Sequence, residues 1–136
     1  MKKSHLYPAL LAAAMLIITS CHRSGRDEQI AREAREFTEK QCPKMVDEGL
    51  RMDSTTFDSR TRAYTYNYTA LDNLDNPAIY TDQLKTQFRE RLLSELRNSI
   101  GMKTYKEAGI TIIYRYVSAT TGNTLLEYQF TKEEYQ

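Results

Sequence analysis

The sequence of 136 residues is poor in the residue types that build most catalytic and metal sites. It contains no tryptophan, two histidines (His5 and His22) and two cysteines, and its five glycines are scattered instead of forming a phosphate-binding loop. Both histidines lie near the N terminus, so the remainder lacks the side chain that completes most zinc sites and Ser–His or Cys–His nucleophile systems. The composition therefore predicts no cofactor and no metal site, and it favours a protein that is not an enzyme.

Long apolar runs and an excess of one charge are also missing. The apolar run at residues 9–19 would span only ~16 Å as a helix, about half the thickness of bilayer hydrocarbon. The 19 basic and 18 acidic residues nearly balance, and the basic ones are not clustered in sequence. This pattern predicts neither a membrane-spanning helix nor a nucleic-acid partner, and it argues against electrostatic binding to anionic lipid.

What the N terminus does contain is a short apolar segment between two lysines and a cysteine. Lys2 and Lys3, the apolar run and the small residues that follow are typical of a secretory signal peptide. The stretch ITSC, Ile18–Cys21, resembles the lipobox of bacterial lipoproteins. That resemblance implies cleavage between Ser20 and Cys21, a diacylglyceryl group on the thiol of Cys21, and a further acyl chain such as palmitate on the new amino group. An ordinary signal peptide with an incidental cysteine, or a short uncleaved anchor, remains an alternative.

The resemblance also implies where the protein works. It divides the chain into a signal peptide (1–20), a lipidated cysteine with a short tether (21–26) and a single domain (27–136). The 19 basic residues lose Lys2 and Lys3, which leaves 17 against 18 acidic ones, so membrane association depends on the acyl chains of Cys21. His22 follows the cysteine in place of an inner-membrane retention aspartate. We therefore expect the outer membrane of the cell envelope, on its periplasmic side.

The pattern of the remaining chain predicts an α+β fold. We expect a first helix from Asp27 to Pro43, with Asp27 as its N-cap, and a second from about Thr81 to Ile100, capped by Gly101. Each helix is followed by a predicted β-hairpin, whereas the segment KMVDEG after Pro43 is ambiguous between a last helical turn and a short second helix. The expected architecture is helix–hairpin–helix–hairpin, with a four-stranded antiparallel sheet and two helices packed on one face.

Tyrosines are the most distinctive feature of the predicted strands. In YTYNY, the period of two places Tyr64, Tyr66 and Tyr68 on one face. Two interpretations stay open: this face is the core, with the phenols at its rim, or it is an exposed binding platform. Outside the strands, Tyr80 and Tyr105 are the candidates for partner contacts.

Carboxylates and one thiol are the remaining candidates for chemistry. Asp72 and Asp75 in DNLDNP suggest either loose calcium coordination or Asx turns, and the turns explain the segment more simply. A hydrolase would need two carboxylates that meet in space, and Asp53 and Asp58 on the first hairpin are one such pair to consider. Cys42 is predicted to be a structural thiol on the apolar side of the first helix.

These observations lead to three hypotheses for function. The first is a non-enzymatic envelope lipoprotein that is anchored in the bilayer by Cys21 and binds an envelope protein partner as a module or complex subunit. The second is an inhibitor or sensor of an envelope enzyme, and the third is a small carboxylate-dependent hydrolase. The segment from Cys42 to Ser54 and the Tyr-rich strands also resemble small exported bacterial proteins without an established activity, and that resemblance implies no residue roles.

Overall fold

A computed structural model describes the backbone of residues 7–136 and the side chains of residues 23–136. It contains four helices, α1 (Tyr7–Gln41), α2 (Asp82–Asn98), α3 (Lys103–Glu107) and α4 (Lys132–Tyr135), and five strands, β1 (Lys44–Asp47), β2 (Leu50–Asp58), β3 (Ala63–Ala70), β4 (Thr111–Ser118) and β5 (Thr124–Phe130). Two 3-10 turns, Asp72–Leu74 and Pro77–Ile79, lead from β3 into α2. The α+β class is therefore correct, although the expected four strands and two helices are too few.

The sheet has the order β1-β2-β3-β4-β5 and is mixed, not antiparallel throughout as expected. Three neighbouring pairs are antiparallel, but β3 and β4 run parallel in continuous register. The connection between them includes α2 and α3, which return the chain to the end of the sheet at which β3 begins. A crossover of this kind produces a parallel pair, whereas a tight turn produces an antiparallel one.

The segment after Pro43 is a strand, so both helical alternatives for it are wrong. The four residues of β1 are all exposed, and three of them pair with β2 on either side of a register shift at Val46. The turn that follows uses Gly49, whose φ of +72° favours glycine, and a Cβ there would lie 3.1 Å from the carbonyl oxygen of Leu71. Such a short strand forms because β2 offers it a hydrogen-bonded edge.

The first helix is longer than predicted. α1 continues through the positions of the lipobox and the predicted tether, but the side chains of Ser20 and Cys21 lie outside the described residues. Cleavage, lipidation and the division of the chain at residues 20 and 26 therefore stay predictions. The expectation that Asp27 is an N-cap is wrong, because Asp27 lies within α1 and its carboxylate binds the guanidinium of Arg62.

The second helix agrees closely with its prediction. The side chain of Thr81 caps it by accepting the backbone N–H of Leu84 at 3.2 Å. The helix ends at Asn98, and Ser99 instead of the expected Gly101 takes the C-cap position. Its buried residues are Leu92 and Leu96, so the tightest packing of α2 involves its C-terminal half.

Both long helices pack on the same face of the sheet, as expected. One core cluster joins Ile30 and Ala34 of α1 and Leu92 of α2 to the aromatic face of the sheet. The opposite face is polar, with Arg115 and Glu127 paired at 2.7 Å across β4 and β5. Within the described residues, none of the helices combines the length and the apolar character required to cross a bilayer.

Candidate binding groove

The tyrosines of the central strands form the aromatic face against which both helices pack. The parallel register sets like residues side by side, so that Tyr66 stacks on Tyr114 at 5.3 Å and Tyr68 on Tyr116 at 4.9 Å between ring centroids. Tyr64 and Tyr116 are buried, and the other three pack against the core. The interpretation of this face as core is thus confirmed for the central strands.

One end of the aromatic face is fully covered, and we call it the covered half. There, Tyr64, Ile112 and Phe130 are each 4% exposed or less, beneath Ile30 and Ala34 of α1 and their neighbours. Ala34 has no side chain beyond Cβ, so helix and strand come close enough for a direct hydrogen bond. The result is a tightly packed layer that leaves little surface for a ligand.

A pair of threonines connects α1 to β2 above the covered half. The hydroxyl of Thr55 donates to the carbonyl oxygen of Ala34 at 2.8 Å, and the backbone N–H of Thr55 donates to the hydroxyl of Thr38 at 2.8 Å. The hydroxyl of Thr38 in turn donates to the carbonyl oxygen of Thr55 at 3.0 Å. This network sets the position of α1 along the strand.

The other end of the aromatic face remains open and forms a groove of about 340 Å³ between the sheet and α2. Its floor comes from β2 to β5, one wall comes from α2, and β1 and the 3-10 segment flank the remaining sides. The twelve lining residues are Val46, Asp47, Leu50, Tyr68, Leu74, Tyr80, Leu84, Phe88, Arg91, Leu92, Tyr116 and Leu126. Two of the twelve carry a charge, so the groove favours contact with apolar side chains.

Two apolar side chains at the edges of the groove are open to solvent. Leu84, on α2, is 40% exposed, and Val46, on β1, is 42% exposed. Leu84 belongs to the same four-residue spacing as the buried Leu92, but it lies in the first turn of α2, beyond the covered half. These exposed side chains leave apolar surface that a partner can cover.

The charged residues of the groove are held at its rim. The guanidinium of Arg91 lies 6.0 Å from the ring centroid of Phe88 and pairs with Glu95 at 3.2 Å on the exposed side of α2. The carboxylate of Asp47 accepts the backbone N–H of Glu48 at 2.7 Å. Neither charge lies beneath the apolar floor, so both can stay hydrated while a ligand occupies the groove.

The phenols of the groove stay neutral at physiological pH. Burial raises the pKa of Tyr68 and of Tyr116 far above the usual range of tyrosine. For the neighbouring Tyr114, burial raises the pKa to about 12. These side chains therefore offer apolar area and hydroxyl groups, and they do not supply a general base.

The two tyrosines predicted to contact a partner lie in different places. Tyr80 lines the groove, and its hydroxyl donates to the carbonyl oxygen of Leu74 at 2.5 Å, which holds the 3-10 segment against the groove. Tyr105 lies outside the groove; its ring is 5.0 Å from that of Tyr64, and its hydroxyl donates to the carboxylate of Glu33 at 3.3 Å. Their role in partner binding stays a prediction.

The carboxylates considered for catalysis have local structural partners. Asp53 binds the guanidinium of Arg51 at 2.6 Å and also accepts the hydroxyl of Thr69, and Asp58 accepts the backbone N–H of Arg60 at 2.8 Å in the hairpin turn. Across residues 23–136, no three side chains of His, Cys, Asp or Glu come together in a metal-binding arrangement. Asp53 and Asp58 are thus each held by separate local contacts.

The acidic segment before α2 has a structural role as well. The carboxylate of Asp75 accepts the backbone N–H and the hydroxyl of Thr120 at 2.9 and 2.7 Å, which joins this segment to the β4–β5 loop. Hydrogen bonds from Ser118 and Thr120 lower the pKa of Asp75. The side chain of Asn76 forms an Asx turn by accepting the backbone N–H of Ala78. The prediction of Asx turns in this segment is confirmed at Asn76.

Cys42 is half-buried and lies directly after α1, which ends at Gln41, so its predicted place on the helix is wrong. Burial, and then the negative charge of Asp53, raise the pKa of its thiol. The thiol is therefore protonated at neutral pH and is a poor nucleophile, which agrees with the structural interpretation.

A second cavity, of about 230 Å³, lies beside the middle of α1, where its described side chains begin. Arg23, Arg26 and Arg62 line it together with Glu107 and Ala108. We call the three arginines the basic pole. Sequence reasoning missed this cluster because Arg62 is distant from the other two along the chain.

Comparison with known sequences identifies a family. The sequence from residue 25 to residue 126 matches the family described as Domain of unknown function (DUF8479). The chain belongs to the DUF8479 family. No curated protein has a matching sequence.

Solved structures share the fold of this DUF8479 member at low sequence identity. One is a protein from Pseudomonas aeruginosa described as secreted, with a TM-score of 0.65 and 10% identity over 82% of this chain and 96% of that one. The pilotin EpsS of the type 2 secretion system of Vibrio vulnificus has a TM-score of 0.62 and 8% identity, over 84% and 94%. The type II secretion pilotin AspS from Vibrio cholerae has a TM-score of 0.60 and 12% identity, over 85% and 97%. At such identities the similarity establishes the fold alone.

Proposed function

We propose that this protein is a lipid-anchored envelope protein that acts as a non-enzymatic binding module in the assembly of a larger complex. The observation that carries the proposal is the apolar groove between α2 and the sheet, with exposed Leu84 and Val46 at its edges. The lipobox supplies the anchor, through Cys21. Two proteins with this fold are pilotins of type II secretion systems, which supports a role in an envelope complex.

The dimensions and lining of the groove favour a segment of a protein as its occupant. A volume of about 340 Å³ lies at the low end for small-molecule pockets, and the polar groups that would orient a small ligand are few. The groove is open along α2, where Leu84 and Phe88 present apolar surface at helical spacing. An amphipathic helix of an envelope protein fits this surface by inserting one apolar edge, with residues at i, i+3 or i+4 and i+7.

The rim charges agree with such an occupant. Arg91 lies on the wall formed by α2, and Asp47 lies on β1. A helix whose polar flank carries an acidic residue toward α2 and a basic residue toward β1 would meet complementary charge on both sides. These exposed charges would influence orientation and association rate more than affinity.

The anchor is tested by the intact mass of the protein from a membrane fraction. We expect a chain that begins at Cys21 and carries added acyl mass, and a Cys21→Ala variant without acyl mass. A Cys42→Ala variant is the matched control, since it removes the other thiol and should be acylated normally. An unmodified wild-type chain would disprove the lipid anchor.

The groove is tested by photo-crosslinking in intact membranes, with a photoreactive amino acid at Val46. We expect a discrete adduct with an envelope protein, and we expect Leu84→Asp to abolish it because a charge would be placed on the apolar wall. Gln83→Asp is the matched control, since it adds the same charge at an exposed neighbouring position that does not line the groove.

The partner peptide from the adduct decides the occupant. A crosslinked peptide from an apolar edge of a helical segment supports the proposal, while a peptide from an extended strand would place the contact on the free edge of β1 instead. An adduct that persists in Leu84→Asp would show that the groove is not the binding site. If the captured protein is an enzyme whose rate changes on binding, the inhibitor or sensor hypothesis would replace the assembly role.

A further inference from the structure

The basic pole lies close to the proposed anchor along α1. In α1, Arg23 and Arg26 follow Cys21 by two and five residues, which corresponds to roughly 3 and 7.5 Å along a helix axis. The polar headgroup layer on each side of a bilayer is roughly 5 to 7 Å thick. If Cys21 carries its acyl chains into the bilayer, Arg23 and Arg26 lie within or just beyond the layer of lipid headgroups.

The lysines and arginines before Asp27 have no acidic residues among them. No acidic residue precedes Asp27 in the sequence, so Arg23 and Arg26 meet no carboxylate on the N-terminal side. The carboxylate of Asp27 is directed to Arg62, at 3.0 Å from Nε and 3.0 Å from Nη2. The side chains of Asp27 and Arg62 are only 11% and 17% exposed, so this pair is a fixed part of the fold.

Arg62 keeps donors that the ion pair does not use. A guanidinium has five N–H groups, and the contacts with Asp27 engage only the Nε and Nη2 atoms. Arg62 lines the same cavity as Arg23 and Arg26, and the cavity has room for a tetrahedral oxyanion. A partly buried guanidinium that is oriented by an ion pair and keeps unused donors suits a phosphate, which arginine binds through charge-assisted hydrogen bonds.

One carboxylate opposes an anion at this position. Glu107 lines the cavity, although it pairs with Lys103 at 3.7 Å on the exposed surface of α3. With three arginines against Asp27 and Glu107, the cavity keeps a net positive charge. Glu107 therefore weakens attraction of a phosphate without reversing it.

We propose that the basic pole is a binding site for the headgroup phosphate of an anionic phospholipid, and that it orients the domain on the membrane that holds its anchor. This inference rests on the proposed lipid anchor at Cys21. It replaces the expectation, drawn from the charge balance of the whole sequence, that the protein does not bind anionic lipid electrostatically, because the fold groups Arg62 with Arg23 and Arg26. Each basic side chain near an anionic surface contributes roughly 1 kcal/mol, so Arg23 and Arg26 together shift the ratio of docked to undocked pole roughly thirtyfold.

Because the native sequence contains no tryptophan, a single introduced tryptophan is a specific fluorescent probe. A single tryptophan replaces Thr61, which is exposed next to Arg62, in the acylated protein. The protein is reconstituted in vesicles of phosphatidylcholine, with or without phosphatidylglycerol, that contain phospholipids brominated on the upper acyl carbons. We expect quenching of tryptophan fluorescence in the vesicles with phosphatidylglycerol, and a decrease of quenching at high salt.

The variants distinguish the effect of the arginines of the basic pole from the effect of positive charge elsewhere on α1. Arg23→Gln/Arg26→Gln should remove the quenching, and Arg23→Lys/Arg26→Lys should retain most of it. Arg32→Gln/Arg35→Gln is the matched control, because it removes the same charge from exposed positions of α1 further from Cys21. Glu107→Gln should increase the quenching.

Two measurements test the lipid anchor and the headgroup site separately. The intact mass of each sample reports the anchor, and the quenching reports the pole. Equal quenching in the Arg23→Gln/Arg26→Gln variant and the wild type, or no dependence on phosphatidylglycerol in a protein of confirmed acyl mass, would overturn the headgroup site and leave the anchor intact. Quenching that free inorganic phosphate abolishes at constant ionic strength would assign the pole to a soluble anion and also overturn the lipid site.

Discussion

The two ends of the aromatic face are built from the same strands, yet they have different surroundings. In the covered half, Ile112 and Phe130 have no exposed surface, and α1 is held to β2 by the hydroxyl of Thr55. In the groove, Tyr68 and Leu50 are partly open beneath the N-terminal half of α2. The comparison indicates that one half of the face stabilises the fold, while the other half is apolar surface left for a partner.

The largest expected effect is the loss of a large side chain from the covered half. Phe130→Ala should lower the free energy of unfolding by ~3–5 kcal/mol, since it leaves a cavity in a closely packed layer. Leu84→Ala in the groove should change it by less than about 0.5 kcal/mol, because that side chain is already exposed. Urea denaturation of both variants measures the difference. Similar losses of unfolding free energy in the two variants would contradict the distinction between the covered half and the groove.

The second largest effect is expected from loss of the ion pair between Asp27 of α1 and Arg62. Asp27→Asn should lower the free energy of unfolding by ~3 kcal/mol, because Arg62 would keep its charge at a largely buried position without its counterion. Glu28→Gln is the control, as it neutralises an exposed carboxylate in the same turn. Thermal and urea unfolding test the prediction, and equal stability of the two variants would contradict it.

A smaller effect is expected from the threonine network over the covered half. Thr55→Val keeps the shape of the side chain but removes its hydrogen bond to Ala34, which should cost about 1 kcal/mol. Thr55→Ser retains the hydroxyl and should restore the bond. Hydrogen exchange of the α1 amides should rise in the valine variant and not in the serine variant; unchanged exchange would mean that the network does not hold the helix.

The smallest effect at neutral pH is expected at Tyr114, and it should grow with alkalinity. Burial raises its folded pKa from 10.0 to about 12, so the neutral phenol stabilises the fold fully below pH 10, and this contribution is lost as pH rises toward 12. Tyr114→Phe should match the wild type at pH 7 and lose less stability in that alkaline range. Urea midpoints across the range provide the measurement, and parallel curves would disprove the assignment.

Local pattern predicted the elements whose residues repeat with a clear period. The stripe that includes Leu92 and Leu96 predicted α2 almost to its ends, and YTYNY predicted β3 and the face that becomes core. The same stripe did not distinguish the buried Leu96 from the exposed Leu84, because periodicity identifies one side of a helix and not which part of that side another element covers.

Several features depended on contacts between distant segments. β1 is too short for a pattern of its own, and its pairing with β2 made it a strand. Asp27 has the chemistry of an N-cap, but the bond to Arg62 gave it a different role. The groove and the basic pole likewise combine residues far apart along the chain, so no local motif predicted them.

The sequence by itself determined the α+β class, the period of the helices and strands, the tyrosine face and the lipobox that predicts an anchor at Cys21. These properties follow from side-chain chemistry and spacing within a few residues. The tertiary structure alone decided the parallel pairing of β3 and β4, the open half of the aromatic face and the grouping of Arg62 with Arg23 and Arg26. Those outcomes depend on which surfaces remain uncovered after distant segments pack together, and the packing free energy of the whole chain selects them.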